Sequence, residues 1–131
     1  MRYLFDASSV YRTALAADTA KLIRRYTCSL AWYELGNILV TETRVRKALD
    51  ETEQQHLLQF VSRALSLMAF VGLNGEESKV VAVAMKYGLS FYDASYVYAA
   101  KKAAAVLVTE DGKLAKKVKG YVDVINAETV E

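Results

Sequence analysis

Ala105-Val-Leu-Val-Thr-Glu-Asp111 is the stretch from which the fold of this chain is read. Val106–Val108 is a continuous apolar run, too short for a helix, and has the pattern of a strand covered on both faces. A hydroxyl and two acids follow it at once, and a helical pattern then runs from Asp111 to Val118. The start of the chain repeats this arrangement. Arg2-Tyr-Leu-Phe5 is a second short apolar run, closed by Asp6 and followed by a helical pattern from about Ser8 to Leu15. Strands buried on both faces belong to parallel sheets, whose crossover helices cover both sides.

The same alternation continues between these two points. Thr19 to Arg25 reads as a short helix with Asp18 at its N-cap, Tyr26–Ser29 as a brief strand, and Leu30 to Thr43 as a longer helix. Asp50-Glu-Thr-Glu53 has the form of a capping box, and Leu57, Leu58, Val61 and Leu65 follow at helical spacing. Leu67–Val71 reads as a strand closed by the turn Gly72-Leu-Asn-Gly75. Asn74 and Glu77 open a helix that stops at Gly88. A helix from Asp93 to Lys102 and a last strand, Tyr121–Ile125, complete the pattern. Right-handed crossovers then give the α/β class, a three-layer α/β/α sandwich with a central parallel sheet. With no repeat, linker or low-complexity tract, residues 1–131 read as a single domain.

Composition narrows the class further. At 53% hydrophobic and 24% charged residues the chain is foldable, not disordered. A net charge of +2 carries no global signal for nucleic acid, but Lys101, Lys102, Lys113, Lys116, Lys117 and Lys119 crowd the last third. They read either as a solvated helix face or as a patch that steers phosphate. Cys28 is the single cysteine, which excludes an intrachain disulfide and a thiolate metal cage; it suits a core position in a reducing cytoplasm. No apolar run approaches the roughly 18 residues of a membrane span, and the chain opens on a strand-like segment instead of a leader. A cytoplasmic protein with no membrane association is the expectation.

Asp6, Glu34, Asp93 and Asp111 sit beside or inside apolar segments, where acids are costly. Two carboxylates ~4 Å apart repel by roughly 4 kcal/mol at an effective dielectric near 20. Gathered together, they either take up protons or hold divalent cations. Asp6 and Asp111 follow strands, at the end of the sheet where parallel α/β folds place their ligands. Glu34 shares a helical stripe with Ala31, Leu35 and Ile38, so its carboxylate lies on the core-facing side, with Asn37 about one turn on. A salt bridge or hydrogen bond would satisfy Glu34 as well as a metal would. Asp93 and Asp111 also read as helix N-caps, and the hydroxyls of Ser8 and Thr109 as caps or as binders of water or phosphate.

Other chemistries find little support. His56 lies in a polar helix segment and, being alone, cannot form a histidine acid–base pair. G-x-x-x-x-G-K-[ST] and G-x-G-x-x-G are both absent. Tyr87, Phe91, Tyr92, Tyr96 and Tyr98 read as core or subunit interface, and their spacing does not support base stacking. Catalysis, if present, falls to carboxylates and bound cations.

Leu4-Phe-Asp-Ala-Ser8, Trp32-Tyr-Glu-Leu-Gly-Asn37, Tyr92-Asp-Ala-Ser-Tyr96 and Leu107-Val-Thr-Glu-Asp111 resemble, in order and spacing, the signature blocks of PIN-domain ribonucleases. The resemblance spans nearly the whole chain and is nearest to the small toxins of VapBC-type pairs. It implies that Asp6, Glu34, Asp93 and Asp111 form an acidic quartet binding Mg²⁺ or Mn²⁺, with Ser8, Asn37 and Thr109 at the supporting polar positions. The implied activity is a metal-dependent endoribonuclease, the toxin of a type II toxin–antitoxin system, acting on RNA as a homodimer and blocked by a small antitoxin. Preference for RNA follows from the resemblance, since metal-assisted hydrolysis has no need of the 2′-hydroxyl. An RNA-processing nuclease without an antitoxin and a catalytically silent RNA- or protein-binding module are the alternatives. A phosphoacceptor signalling domain is disfavoured, because Asp6 stands alone after its strand and no lysine follows Val106–Thr109.

Overall fold

A computed structural model describes residues 1–131. The short apolar runs become five strands: β1 (Tyr3–Phe5), β2 (Tyr26–Thr27), β3 (Ala69–Phe70), β4 (Val106–Val108) and β5 (Val124–Ile125). They pair in the order β3-β2-β1-β4-β5, and every pair is parallel. Six helices alternate with them: α1 (Ala7–Leu15), α2 (Leu30–Arg44), α3 (Glu51–Ser66), α4 (Glu77–Tyr87), α5 (Phe91–Lys102) and α6 (Gly112–Lys117). This is the three-layer sandwich expected from the alternation.

Its layering follows from the period of two along the central strands. Leu4 pairs with Leu107 and Phe5 with Val108, and all four side chains are fully buried. Leu4 and Leu107 join one apolar cluster, with Val80 and Val83 of α4, Ala94 to Ala100 of α5, and Leu114 of α6. Phe5 and Val108 point the opposite way, into a second cluster with Val10 of α1, Leu35 of α2 and Val61 and Leu65 of α3. Each such side chain contributes roughly 1.5–3 kcal/mol by leaving water. The sheet is thus fixed from both sides at β1 and β4. No helix is long and apolar enough to cross a membrane.

Local signals set most of the boundaries. Asp50 and Glu53 form the capping box of α3: Asp50 accepts from the Glu53 N–H at 2.8 Å and Glu53 accepts from the Asp50 N–H at 3.1 Å. Gly88, at φ 66°, ends α4 in the left-handed conformation that glycine adopts most readily.

Three expectations are corrected. Thr19 to Arg25 is not an α-helix: only Thr19–Lys21 makes a 3₁₀ turn, and Asp18 makes no side-chain cap bond. Arg24 turns out of it at φ 61° and its N–H donates to the Leu67 carbonyl, so the approach of β2 to β3 overrides the helical pattern. Helix α5 begins at Phe91, earlier than expected, because the Ser90 hydroxyl accepts the Asp93 N–H at 3.0 Å. Asp93 is therefore in the first turn and is not the cap. The last strand is shorter than read, with Tyr121 in the turn before it.

Ala104 follows the last turn of α5 at φ 51° and is exposed. A left-handed alanine costs about 1–2 kcal/mol, partly offset in glycine by the greater freedom of the unfolded chain. Ala104→Gly is expected to raise unfolding stability by about 0.5–1 kcal/mol. A urea midpoint that stays put or falls, at constant m-value, would contradict this.

Candidate active site

The strand order changes direction between β1 and β4, and a parallel α/β sheet opens a crevice at that point beyond the carboxyl ends of its strands. Asp6 stands at one lip of the crevice. It is the N-cap of α1: its Oδ1 accepts from the Ser9 N–H at 3.0 Å and from the Ser8 hydroxyl at 2.7 Å. Asp111 stands at the other lip as the N-cap of α6, its Oδ1 accepting from the N–H groups of Lys113 at 2.9 Å and Leu114 at 3.2 Å. Ser8 joins the lips. Its hydroxyl donates to Asp6 and accepts from the Glu110 N–H at 3.1 Å. Thr109, buried, accepts from the Asp111 N–H at 3.1 Å, and its hydroxyl lies 3.4 Å from that of Ser8.

Glu34 comes from the middle of α2, and its Oε1 accepts from the Tyr96 phenol at 2.7 Å. Asp93 comes from the first turn of α5, and no hydrogen bond or ion pair holds its carboxylate. Asp6, Glu34, Asp93 and Asp111 line one cleft of about 440 Å³, together with Ser8, Asn37, Tyr33, Tyr92 and Tyr96. Thr109 stays behind this cleft and acts on it through Ser8 and Asp111. The acids share the cleft without converging: no three of them are gathered closely enough to coordinate an ion directly.

The ion pairs of the chain are Arg12–Glu110, Lys21–Asp18, Arg46–Glu42 and Lys102–Glu76, so none of the cleft acids is neutralised by a basic side chain. Their proton affinities reflect this. Burial pushes Asp6 up from the usual carboxylate range, against the hydrogen bonds of Thr109, Ser8 and Ser9. Burial also raises Glu34; the Tyr96 hydrogen bond opposes it, and the charges of Asp6 and Asp93 add to it. Asp93 is raised by burial and by the charges of Asp111 and Asp6, with Lys117 opposing. All the acidic donors are oxygens and their charge is uncompensated, which suits a hard divalent cation. Mg²⁺ in particular keeps several of its waters and takes few protein ligands, in keeping with acids that line the cleft without converging.

Reading from sequence missed Tyr96 as a partner of this site. Its place one turn after Asp93 on the same helix face was the available signal. The rest of the aromatic group divides: Tyr87 packs on Tyr121 with ring centroids 5.0 Å apart, and the Tyr98 phenol donates to Glu76. The lysine cluster divides as well. Lys101 donates to the Tyr121 carbonyl, Lys102 pairs with Glu76, and Lys117 donates to the Gly88 carbonyl. Lys113, Lys116 and Lys119 remain exposed, with no bond from their ammonium groups. His56 is exposed, as its polar surroundings suggest.

An acid-lined crevice at the switch point of a parallel α/β sandwich defines the class, and comparison with known proteins gives the family. Residues 3–120 match the PIN domain, and the chain belongs to the PIN-domain family, among its VapC-type nucleases. It is 38% identical over 128 residues to exonuclease VapC9 of Pyrobaculum aerophilum, covering 95% of this chain and 91% of that one. It is 28% identical over 125 residues to ribonuclease VapC3 of the same organism, covering 89% and 95%. The crystal structure of PAE2754 from Pyrobaculum aerophilum superposes with a TM-score of 0.81 at 34% identity, covering 98% of this chain and 92% of that one.

Cys28 lies near Glu34 but takes no part in this chemistry: burial and the Glu34 charge push its thiol up to about 12. Against an ordinary thiol near 8.5, its thiolate fraction at pH 8 falls on the order of 10³-fold. Alkylation by iodoacetamide is expected to be at least 100-fold slower in the native protein than in urea, as followed by mass spectrometry. Comparable rates would show that the thiol is open to solvent.

Proposed function

We propose that this chain, as a single domain over residues 1–131, is a Mg²⁺- or Mn²⁺-dependent endoribonuclease and the toxin of a type II toxin–antitoxin pair. The observation that carries the reading is the cleft of unpaired carboxylates at the β1–β4 switch point. Asp6, Glu34, Asp93 and Asp111 would hold the cation. When bound, the cation lowers the pKa of water and neutralises charge developing on the phosphate. Ser8 fixes the orientation of Asp6, and Thr109 that of the Asp111 backbone. The Asn37 amide faces the same cleft, where it is available to a phosphate oxygen or to water. Lys113, Lys116 and Lys119, at and beyond α6, draw in the RNA backbone from the side of Asp111. RNA as substrate rests on the likeness to ribonuclease VapC3.

The antitoxin would present a cationic segment to the same uncompensated charge, and the toxin would work in the cytoplasm as a homodimer. The name of the 38% identical relative, exonuclease VapC9, favours a second reading in which the same cleft removes nucleotides from an end.

A circularised RNA separates these readings. With Mn²⁺ or Mg²⁺ the protein is expected to linearise it, and Asp6→Asn and Asp93→Asn to do so at least about 100-fold more slowly, the loss typical of removing a group that works in the transition state. Digestion of linear RNA alone would establish the exonuclease. Equal cleavage by the two variants would remove the carboxylates from the mechanism.

A second expectation concerns pH. Asp6, Glu34 and Asp93 are raised above their unfolded values. Their contribution to stability is therefore fully present below the ordinary carboxylate range and lost as pH rises through the raised values. Added Mn²⁺ should restore it by binding the folded state. The melting temperature should rise with Mn²⁺ at pH 7, and the gain should shrink as pH falls toward 4 and protons displace the ion. A gain that is the same at both pH values would place Mn²⁺ elsewhere.

A further inference from the structure

We propose that Tyr96 is the positioning residue for Glu34, setting the affinity of the cleft for its cation without itself touching cation or RNA; this rests on the metal-dependent reading above. The need for such a residue follows from where Glu34 sits. Asp6 and Asp111 are held by backbone N–H groups, because each caps a helix whose first N–H groups are free. Glu34 lies inside α2, where the N–H groups are engaged in the i→i−4 ladder, so only a side chain can orient it. The Tyr96 phenol is the sole internal partner of that carboxylate, at 2.7 Å to Oε1.

Tyr96 suits the task in two respects. It is 2% exposed and ranks among the largest fully buried side chains of the protein, fixed by the cluster that packs α4 and α5 on the sheet. Glu34 hangs from α2, whose buried Ala31 and Leu35 belong to the cluster on the opposite face. The bond thus ties a rigid donor in one layer to an acid in the other. A free glutamate loses side-chain freedom when it is ordered, and a preset carboxylate spares the ion that loss. A phenol is also neutral. A lysine or arginine at this place would orient Glu34 equally well while cancelling the charge that attracts the cation.

Tyr96→Phe removes the donor and keeps the ring. Mn²⁺ binding, measured without RNA by electron paramagnetic resonance, is expected to weaken about 10-fold, within the 10–100-fold typical of residues that orient metal ligands. Cleavage lost at low Mn²⁺ should return at saturating Mn²⁺. In a Glu34→Gln background the same substitution should leave Mn²⁺ affinity unchanged, since its effect passes through the carboxylate. Melting in EDTA reports the purely structural cost separately. Wild-type binding of Mn²⁺ with an unchanged Kd in Tyr96→Phe overturns the inference alone. An equal loss in the Glu34→Gln background overturns it too. Failure of the wild-type protein to bind Mn²⁺ overturns the metal-dependent reading and this inference with it.

Discussion

Uncompensated negative charge is the constraint around which this molecule is arranged. Carboxylates from the start of α1, from α2 and α5, and from the loop after β4 face one cleft, and the ion pairs of the protein lie elsewhere. An ion pair at any of these acids would have lowered its proton affinity and relieved the repulsion. It would also have removed the negative field of the cleft. The chain holds its acids instead with neutral donors: backbone N–H groups at the starts of α1 and α6, the hydroxyl of Ser8, and a phenol from Tyr96. Such donors fix direction without cancelling charge. The cost appears as the upward displacement of Asp6, Glu34 and Asp93.

Holding repelling groups in place requires a stiff base, and the pairing of β1 with β4 supplies it. Their inward residues are fully buried on both faces, so neither strand can shift without opening one of the two apolar clusters. The Ser9 hydroxyl donates to the Val108 carbonyl at 2.7 Å, and the Asp6 N–H to the same carbonyl at 3.1 Å. The start of α1 is thereby bonded to the end of β4. Ser8 makes the corresponding link to the Glu110 N–H. Two strand ends distant in sequence behave as one rigid rim, and Asp6 and Asp111 take their positions from it.

What was legible in the sequence, and what was not, follows from the same distinction. Arg2–Phe5 and Ala105–Thr109 announced themselves because strands covered on both faces need continuous apolar runs. An acid straight after such a run lands at the mouth of the sheet, where parallel folds place their ligands. Glu34 stood out as a charge in an apolar stripe. Thr19 to Arg25 misled because its helical pattern is local, whereas the turn at Arg24 is imposed by the pairing of β2 with β3. Asp93 looked like a cap because aspartate commonly is one; Ser90, upstream, takes the N–H first. The bond from Tyr96 to Glu34 crosses from one layer to the other, and no periodicity in a single helix records a partner 62 residues away. The lysines looked alike in sequence, and only tertiary contacts separate those engaged with Tyr121, Glu76 and Gly88 from those left free.

That the acids face one cleft without converging on a point follows from the same electrostatics. Like charges gain nothing from close approach, and the repulsion grows as the separation shrinks. Neutral donors therefore fix the directions of Asp6, Glu34 and Asp111, while no hydrogen bond or ion pair holds the carboxylate of Asp93. A fourth acid fixed in the same way would raise the free energy of the fold further, through the same burial and charge effects that already displace three of them. Leaving one acid unbonded moderates that cost.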